Sequence, residues 1–224
     1  VRQLILAAFT ELPTVRVFLF APDGTPDAAA IIDNRPPPKM TLGRAAVVAL
    51  MGRYLATGFD YRLSNLEVQK LAYFLQVAGQ PLRLDFAAYH YGPYADNLRK
   101  ALRNMEGHQI EGLGAGDNKP ETTLKRLPGA VEAANAFLQN NPDAVLRLDR
   151  VGALIAGFET PFGMALLATV HWVMQDALVA ASAELTVLRV HAWSETKRSR
   201  MKDSQIRAAW RRLCDLNWVP AHQA

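Results

Sequence analysis

The chain has 224 residues, half of them hydrophobic, so it can bury a substantial core and disorder is not expected over most of its length. Its 25 Lys and Arg against 21 Asp and Glu give a net charge of +4, far below the positive field of a dedicated DNA-coating protein. The single cysteine, Cys214, excludes a disulfide framework and a cysteine-based zinc site and fits a reducing cytoplasm, where we expect the protein. No uninterrupted apolar stretch reaches the roughly 18 to 20 residues of a membrane span, so no membrane partner is expected.

The first 40 residues predict a domain boundary. Helical spacing over residues 1–12 is followed by a β-rich run, "VRVFLFAP", and one helix with one strand cannot enclose a core. Three consecutive prolines then favour a semi-rigid extended linker over residues 35–40. We expect residues 1–34 to end an upstream domain and residues 41–224 to form a second one. Because the sequence has neither a signal peptide nor an initiator Met, we expect the chain to begin partway through a longer protein.

Helix start signals are frequent after the linker. Thr41 is predicted to cap one helix, and Ser64 with Glu67 forms the S-x-x-E capping box of the next. Pro93 is predicted to open a further helix, with Tyr94 in its apolar stripe. Asn and Thr caps followed by proline predict helix starts at 141–142 and 160–161, and periodicity predicts two more helices over 185–193 and 203–215.

Two segments predict β structure. Alternation over residues 82–91, "LRLDFAAYHY", indicates a short strand, and residues 108–127 indicate a hairpin around a Gly-rich tip. We therefore predict a mostly α (α+β) fold, a multi-helix domain with a short β-hairpin or small sheet, preceded by one helix and one strand of a truncated domain.

No arrangement for catalysis, cofactor binding or metal binding is predicted. The Gly-rich stretch 112–119 lacks the final glycine of a dinucleotide fingerprint and the Gly-Lys-Ser/Thr of a phosphate-binding loop. The five histidines are widely separated, with no His-Glu-x-x-His motif, and no serine lies in a G-x-S-x-G context. His171, on a helix that is predicted to be buried, is better explained as a satisfied core histidine.

The C-terminal basic stretch is the best alternative candidate for nucleic-acid binding. Four arginines, Arg198, Arg200, Arg207 and Arg211, lie near three tryptophans there. However, Ile206, Ala209, Trp210 and Leu213 form an apolar stripe, which places arginines on the solvated side of the last helix. DNA contact is therefore less favoured than a solvated helix face.

The stretch "YHYGPYADNLRK", residues 89–100, favours protein binding. Tyrosine supplies large, rigid contact area at low entropic cost, and the Gly-Pro pair presents these rings from a restricted corner. We expect one or two of the aromatic rings to be exposed, and not all of them.

The segments "NLEVQKLAYFLQVAGQ", "YHYGPYADNLRKAL", "LPGAVEAANAFL" and "FETPFGMALLATVHWV" resemble the C-terminal domain of DarG antitoxins from DarT/DarG toxin–antitoxin systems, over roughly residues 41–219. The "LxKLxYF…YGPY" pattern is also similar to the wider Panacea (SocA-like) antitoxin domains. In that family an upstream macrodomain removes ADP-ribose from DNA, and residues 1–34 resemble its last helix and strand. The resemblance therefore implies that this fragment has no hydrolase activity.

The resemblance also implies a partner. Such a domain would bind a DarT-like toxin, an ADP-ribosyltransferase of single-stranded DNA, and block its substrate site, with local DNA mimicry where charge allows. From motif position and residue type, the predicted toxin contacts are His90, Tyr91, Pro93, Tyr94, Asn97, Glu159, Phe162 and Trp193. The alternative is a DNA-binding transcriptional regulator that uses Arg198, Arg200, Arg207 and Arg211.

Overall fold

The computed structural model describes residues 6–10, 12, 14–19, 37–56, 63–113 and 119–219. The chain divides into two compact units, Val1–Pro36 and Pro37–Ala224. In the first unit residues 6–8 are helical, but residues 15–19 form no strand; the rest of the strand predicted there lies outside the described residues. A strand needs a paired neighbour to be stable, and none is described in this unit. The domain remnant over 1–34 and the linker over 35–40 stay predictions.

The second unit is mostly helical with small antiparallel sheets, which confirms the α+β class. Its helices are α1 (Leu42–Leu55), α2 (Asn65–Val77), α3 (Asp96–Arg103), α4 (Ala130–Leu138), α5 (Pro142–Ile155), α6 (Pro161–Val173), α7 (Ala177–Ala180), α8 (Ala183–Trp193), α9 (Glu195–Arg200) and α10 (Asp203–Asp215). Its strands are β1 (Leu63–Ser64), β2 (Phe86–Tyr89), β3 (Gly92–Ala95), β4 (Ile110–Glu111) and β5 (Thr123–Arg126).

Helices α2 and α6 pack against each other at the centre of the core. The predicted capping box opens α2: Ser64 Oγ accepts from the Glu67 backbone N–H, and the Glu67 carboxylate accepts from that of Ser64. The predicted cap of α6 is also present, since Thr160 Oγ1 accepts from the Gly163 N–H at 2.9 Å. Both helices are buried on nearly every face, so their polar side chains are buried as well.

The strands form two small arrangements. Strands β1, β5 and β4 pair antiparallel in that order, which confirms the base of the hairpin predicted over 108–127; its Gly-rich tip, 114–118, lies outside the described residues. Strands β2 and β3 form a separate hairpin. No helix among the residues described has the length and apolar character needed to cross a membrane.

The helix start predicted at Pro93 is wrong. Pro93 and Tyr94 lie in β3, paired with Ala88 and Ala87 of β2, and α3 begins only at Asp96. The Gly-Pro pair follows a two-residue turn at residues 90–91, so this segment continues a hairpin and not a helix. The strand predicted over 82–91 is correspondingly shorter and covers residues 86–89.

Candidate functional site

The β2–β3 hairpin forms a corner whose tip is His90 and Tyr91. Gly92 follows the tip with φ of +95°, a conformation that favours glycine. A Cβ added to Gly92 would lie 2.8 Å from Thr169 Oγ1 on α6, so the hairpin packs directly on the central helix. The corner is thus fixed to the core at its base, while its tip is exposed.

Two cavities lie beside this tip, and His90 and Tyr91 line both. The first, of about 510 Å³, is bounded by the start of α6 and by α9; its other main lining residues are Pro161, Phe162, Ser194, Lys197 and Arg200. The second, of about 590 Å³, is bounded by α2 and the hairpin, and includes Lys70, Asp85, Tyr89, Tyr94 and Asp96. We call the two cavities together the corner cleft. The volume of each cavity is in the range of small-ligand sites.

Exposed aromatic rings flank the corner cleft. Tyr91 is 48% exposed and Phe162 is 40% exposed, although both are large apolar groups. Tyr89 is also exposed, and its ring centroid lies 5.5 Å from that of Tyr94. Trp193 Nε1 donates to Tyr89 O at 3.1 Å, which fixes the hairpin against the end of α8. As expected, some rings of the corner are exposed and Tyr94 is half-buried.

Two lysines are buried at the base of the corner cleft. Lys70 is 1% exposed and donates from Nζ to Pro93 O at 2.7 Å, whereas Lys197 is 3% exposed and donates to Thr169 Oγ1 at 3.0 Å. Burial, followed by repulsion from Lys197, lowers the pKa of Lys70 to about 7. Burial also lowers the pKa of Lys197 to about 8. Both ammonium groups are therefore much easier to deprotonate than an exposed lysine.

A second buried polar cluster lies nearby on α2 and α6. His171 Nε2 lies 3.0 Å from Trp218 O, and His171 Nδ1 lies 2.7 Å from Tyr73 Oη. A carbonyl oxygen can only accept, so Nε2 carries the proton and Nδ1 accepts from the Tyr73 hydroxyl. Burial lowers the pKa of His171 to about 4, despite the raising effect of the Trp218 hydrogen bond. This confirms the prediction of a satisfied core histidine.

The structure brings several of the predicted site residues together. His90, Tyr91, Phe162 and Arg200 line the first cavity, and Tyr94 lines the second. Trp193 lies next to the cleft, with its ring 5.2 Å from Lys197 Nζ. Residues expected to serve different roles, protein contact and DNA contact, thus share one cleft.

Other predicted site residues do not line the cleft, or have polar side chains that are hydrogen-bonded within the protein. Pro93 is buried, and the Asn97 side chain is bonded to the 83–85 backbone and to Asp85. Glu159 accepts from the Gly157 N–H. The remaining arginines, Arg198, Arg207 and Arg211, do not line the described cavities; Arg198 pairs with Glu195, and Arg207 pairs with Glu184 and Asp203.

Sequence reasoning misses the buried lysines. It places Lys197 in a solvated basic stretch and does not single out Lys70. A signal exists for Lys70, because it lies three and four residues before Tyr73 and Phe74 on a helix with apolar residues on most of its circumference. No comparable local signal marks Lys197. Among the residues described, no group of three or more His, Cys, Asp or Glu could hold a metal ion.

Comparisons with known proteins give related sequences. The chain is 41% identical over 197 residues to a DNA ADP-ribosyl glycohydrolase of Thermus aquaticus. The aligned region covers 88% of this chain and 53% of that protein. It is 33% identical over 233 aligned positions to proteins of the same name from Mycobacterium bovis and Mycobacterium tuberculosis, covering 95% of this chain and 63% of theirs. No protein-family model matches the chain. The chain thus spans between about half and two thirds of the length of these relatives.

These names contradict several expectations from the sequence. A glycohydrolase is an enzyme, so these names contradict the identification as a non-enzymatic DarG-type antitoxin domain and the prediction that this fragment has no hydrolase activity. The relatives are named for action on DNA carrying ADP-ribose, which supports neither a DarT-like toxin as the partner nor a transcriptional regulator as the alternative. The predictions of toxin inhibition and DNA mimicry are therefore not supported either, whereas the predicted association with ADP-ribosylation fits the names of these relatives.

Proposed function

We propose that this chain acts as part of a DNA ADP-ribosyl glycohydrolase and that its corner cleft holds the DNA that carries the ADP-ribose. The observation that carries the proposal is the similarity to the three relatives over most of this chain. Because the match covers 53% to 63% of their lengths, we assign substrate holding to this chain and bond cleavage to the complete enzyme. We place the activity in the cytoplasm, where a lone thiol such as Cys214 stays reduced.

The first cavity suits an unpaired nucleic-acid strand. Proteins that hold single strands combine cationic groups for the backbone with aromatic rings on which bases stack. Here Tyr91 and Phe162 are exposed at the cavity edge, and Arg200 is an exposed cation in its lining. This pairing of rings with a cation supports a role for the cavity in holding bases and phosphates.

The second cavity suits the sugar part of the substrate. Asp85 and Asp96 line it, and carboxylates accept hydrogen bonds from ribose hydroxyl groups in nucleotide-binding sites. Three tyrosines in the same lining, Tyr89, Tyr91 and Tyr94, add hydroxyl groups and ring faces. ADP-ribose contains two ribose rings, so a polar cavity with ring surfaces fits its chemistry.

The experiment measures binding of the chain to a fluorescent single-stranded oligonucleotide with and without ADP-ribose, by anisotropy. We expect tighter binding of the modified strand. Replacing both Tyr91 and Phe162 by Ala should weaken that binding by about tenfold or more, because stacking contributes about 1 to 3 kcal/mol per base. In the matched control, Ala replaces Leu146 and Leu188, which are exposed but do not line the cleft. This variant should bind the modified strand as tightly as the parent chain does.

Release of ADP-ribose is followed in the same samples, with the full-length Thermus aquaticus protein as the positive control. Release by this chain alone would extend its assignment from substrate holding to bond cleavage. If the chain binds modified and unmodified strands equally, or binds neither, while the positive control acts on the same substrate, the proposal is wrong.

A further inference from the structure

The Lys70 and Lys197 ammonium groups lack the partners that buried charges usually have. In the part of the chain that the structure describes, neither forms an ion pair with a carboxylate, and each makes one hydrogen bond to a neutral oxygen. An ammonium group has three N–H donors, and burying a charge without compensation is costly. The Trp193 ring gives Lys197 a cation–π contact at 5.2 Å, which compensates it only in part.

The two lysines make their hydrogen bonds close to the point where the hairpin packs on α6. Lys70 reaches Pro93 O from α2, and Lys197 reaches Thr169 Oγ1 from α9. Thr169 in turn donates to Ala165 O at 2.7 Å, so its oxygen is oriented to accept from the lysine. A Cβ at Gly92 would lie 2.8 Å from this same oxygen, so the oxygen that Lys197 contacts lies beside the residue that precedes Pro93. Repulsion between the two lysines is strong enough to affect the pKa of Lys70.

Each lysine also lines one half of the corner cleft. Lys197 lines the first cavity together with Arg200, and Lys70 lines the second. The ionisable groups that share these linings are Asp85 and Asp96, the tip residue His90, and the three tyrosines of the hairpin. The two aspartates belong to the second cavity only, so the first cavity has the more positive lining.

We propose that Lys70 and Lys197 form the base of a phosphate-binding site in the corner cleft. An anion bound in the cleft beside either lysine would supply the compensating charge that the described residues do not provide, and unused N–H donors would bind its oxygens. Hydrogen bonds between ammonium and phosphate groups are among the stronger ones in proteins. This inference rests on the proposed function for the source of the phosphate, which is either the DNA backbone or the diphosphate of the ADP-ribosyl group.

Binding of an anion should be coupled to proton uptake. A negative charge beside a lysine favours its protonated form and raises its pKa. Near about pH 8, Lys70 is largely neutral and Lys197 is only partly charged, because their pKa values are about 7 and about 8. A phosphate ligand should therefore draw protons from the buffer, whereas an ordinary surface lysine is already charged and would draw none.

The test is calorimetric titration of the chain with inorganic pyrophosphate near about pH 8 in two buffers of different ionisation enthalpy. We expect saturable binding whose heat differs between the buffers in the direction of proton uptake. Lys70→Met and Lys197→Met should each weaken binding by about tenfold or more and reduce the uptake, since a hydrogen bond to a charged group is lost. Lys125→Met, at an exposed lysine on β5, is the matched control and should leave both quantities unchanged.

The comparison between buffers uses the unsubstituted chain, so it does not depend on the folding of any variant. Absence of pyrophosphate binding, or equal affinity in the Lys70, Lys197 and Lys125 variants, would overturn the phosphate site. Repeating the titration with ADP-ribose and with unmodified oligonucleotide distinguishes the two phosphate sources. If pyrophosphate binds but ADP-ribosylated DNA does not, the proposed function is wrong and the phosphate site stands. If ADP-ribosylated DNA binds but pyrophosphate does not, the phosphate site is wrong and the proposed function stands.

Discussion

Two buried polar clusters include residues of α2 and α6 that lie only a few positions apart, and these clusters differ in how their polar groups are satisfied. In the first, Tyr73, His171 and the Trp218 carbonyl complete a hydrogen-bonded chain within the protein. In the second, Lys70 and Lys197 are equally buried, but each contacts one neutral oxygen and no carboxylate among the residues described. The first cluster therefore stabilises the fold, because its hydrogen bonds are satisfied within the protein. The second cluster favours binding of an external anion, because its buried cations lie beside a cleft and lack a negative partner.

Gly92→Ala should have the largest effect, because Gly92 lies where the hairpin meets α6. The new Cβ would lie 2.8 Å from Thr169 Oγ1, and the backbone has φ of +95°. Strain and overpacking together should lower the free energy of unfolding by about 3 kcal/mol, measured by urea denaturation. Gly157→Ala is the control, because φ there is +85° but no atom lies within 4 Å; it should cost only about 1 kcal/mol. Equal losses would mean that the hairpin is not held tightly against α6.

The pH dependence of stability should come next in size. The pKa of His171 is about 4 in the folded protein, against the ordinary histidine value of 6.5, so the unfolded chain binds the extra proton more readily. The free energy of unfolding is at its full value above about pH 6.5 and falls as the pH drops towards about 4, by a total of roughly 3 kcal/mol. His171→Leu should flatten this part of the curve of unfolding free energy against pH. A curve that is unchanged by His171→Leu would contradict the closed network.

Paired substitutions on α2 should then separate the two clusters. Tyr73→Phe removes the hydroxyl that bonds to His171 Nδ1 and should destabilise the protein by about 1 to 2 kcal/mol. Lys70→Met removes a buried cation and keeps much of the apolar stem, so the free energy of unfolding should stay within about 1 kcal/mol of the parent value, or rise. Chemical denaturation of both variants makes the comparison. A larger loss from Lys70→Met would show that Lys70 is structural.

The smallest effect should come from the arginines outside the cleft. Arg207 forms exposed ion pairs with Glu184 and Asp203, so replacing Arg207 and Arg211 by Ala should change the free energy of unfolding by only about 0.5 to 1 kcal/mol. It should leave binding of the modified oligonucleotide unchanged, whereas Arg200→Ala should weaken it. Anisotropy titrations of the two variants side by side check this, and the opposite order would move the nucleic-acid contact to α10.

Local signals in the sequence predict much of the helical framework. The capping box at Ser64 and the cap at Thr160 depend on residues only three positions apart, so they can be predicted from spacing alone. The prediction at Pro93 fails because a proline fits both the first turn of a helix and a strand end, and only pairing with Ala88 decides between them.

The site can be predicted only in part, for a related reason. Aromatic residues at the corner are recognisable by type, and His90, Tyr91, Phe162 and Arg200 do meet at one cavity. The burial of Lys197 depends on its contact with Thr169 of α6, which lies 28 residues away in the sequence. Neither composition nor periodicity carries such long-range contacts, so the lysine pair becomes visible only in the structure.

The most direct test of this account is a crystal structure of the chain bound to a short ADP-ribosylated DNA strand. We predict that the strand occupies the corner cleft, with a phosphate oxygen within about 3 Å of Lys70 Nζ or Lys197 Nζ. A strand bound elsewhere, with Lys70 still bonded only to Pro93 O and Lys197 only to Thr169 Oγ1, would contradict it.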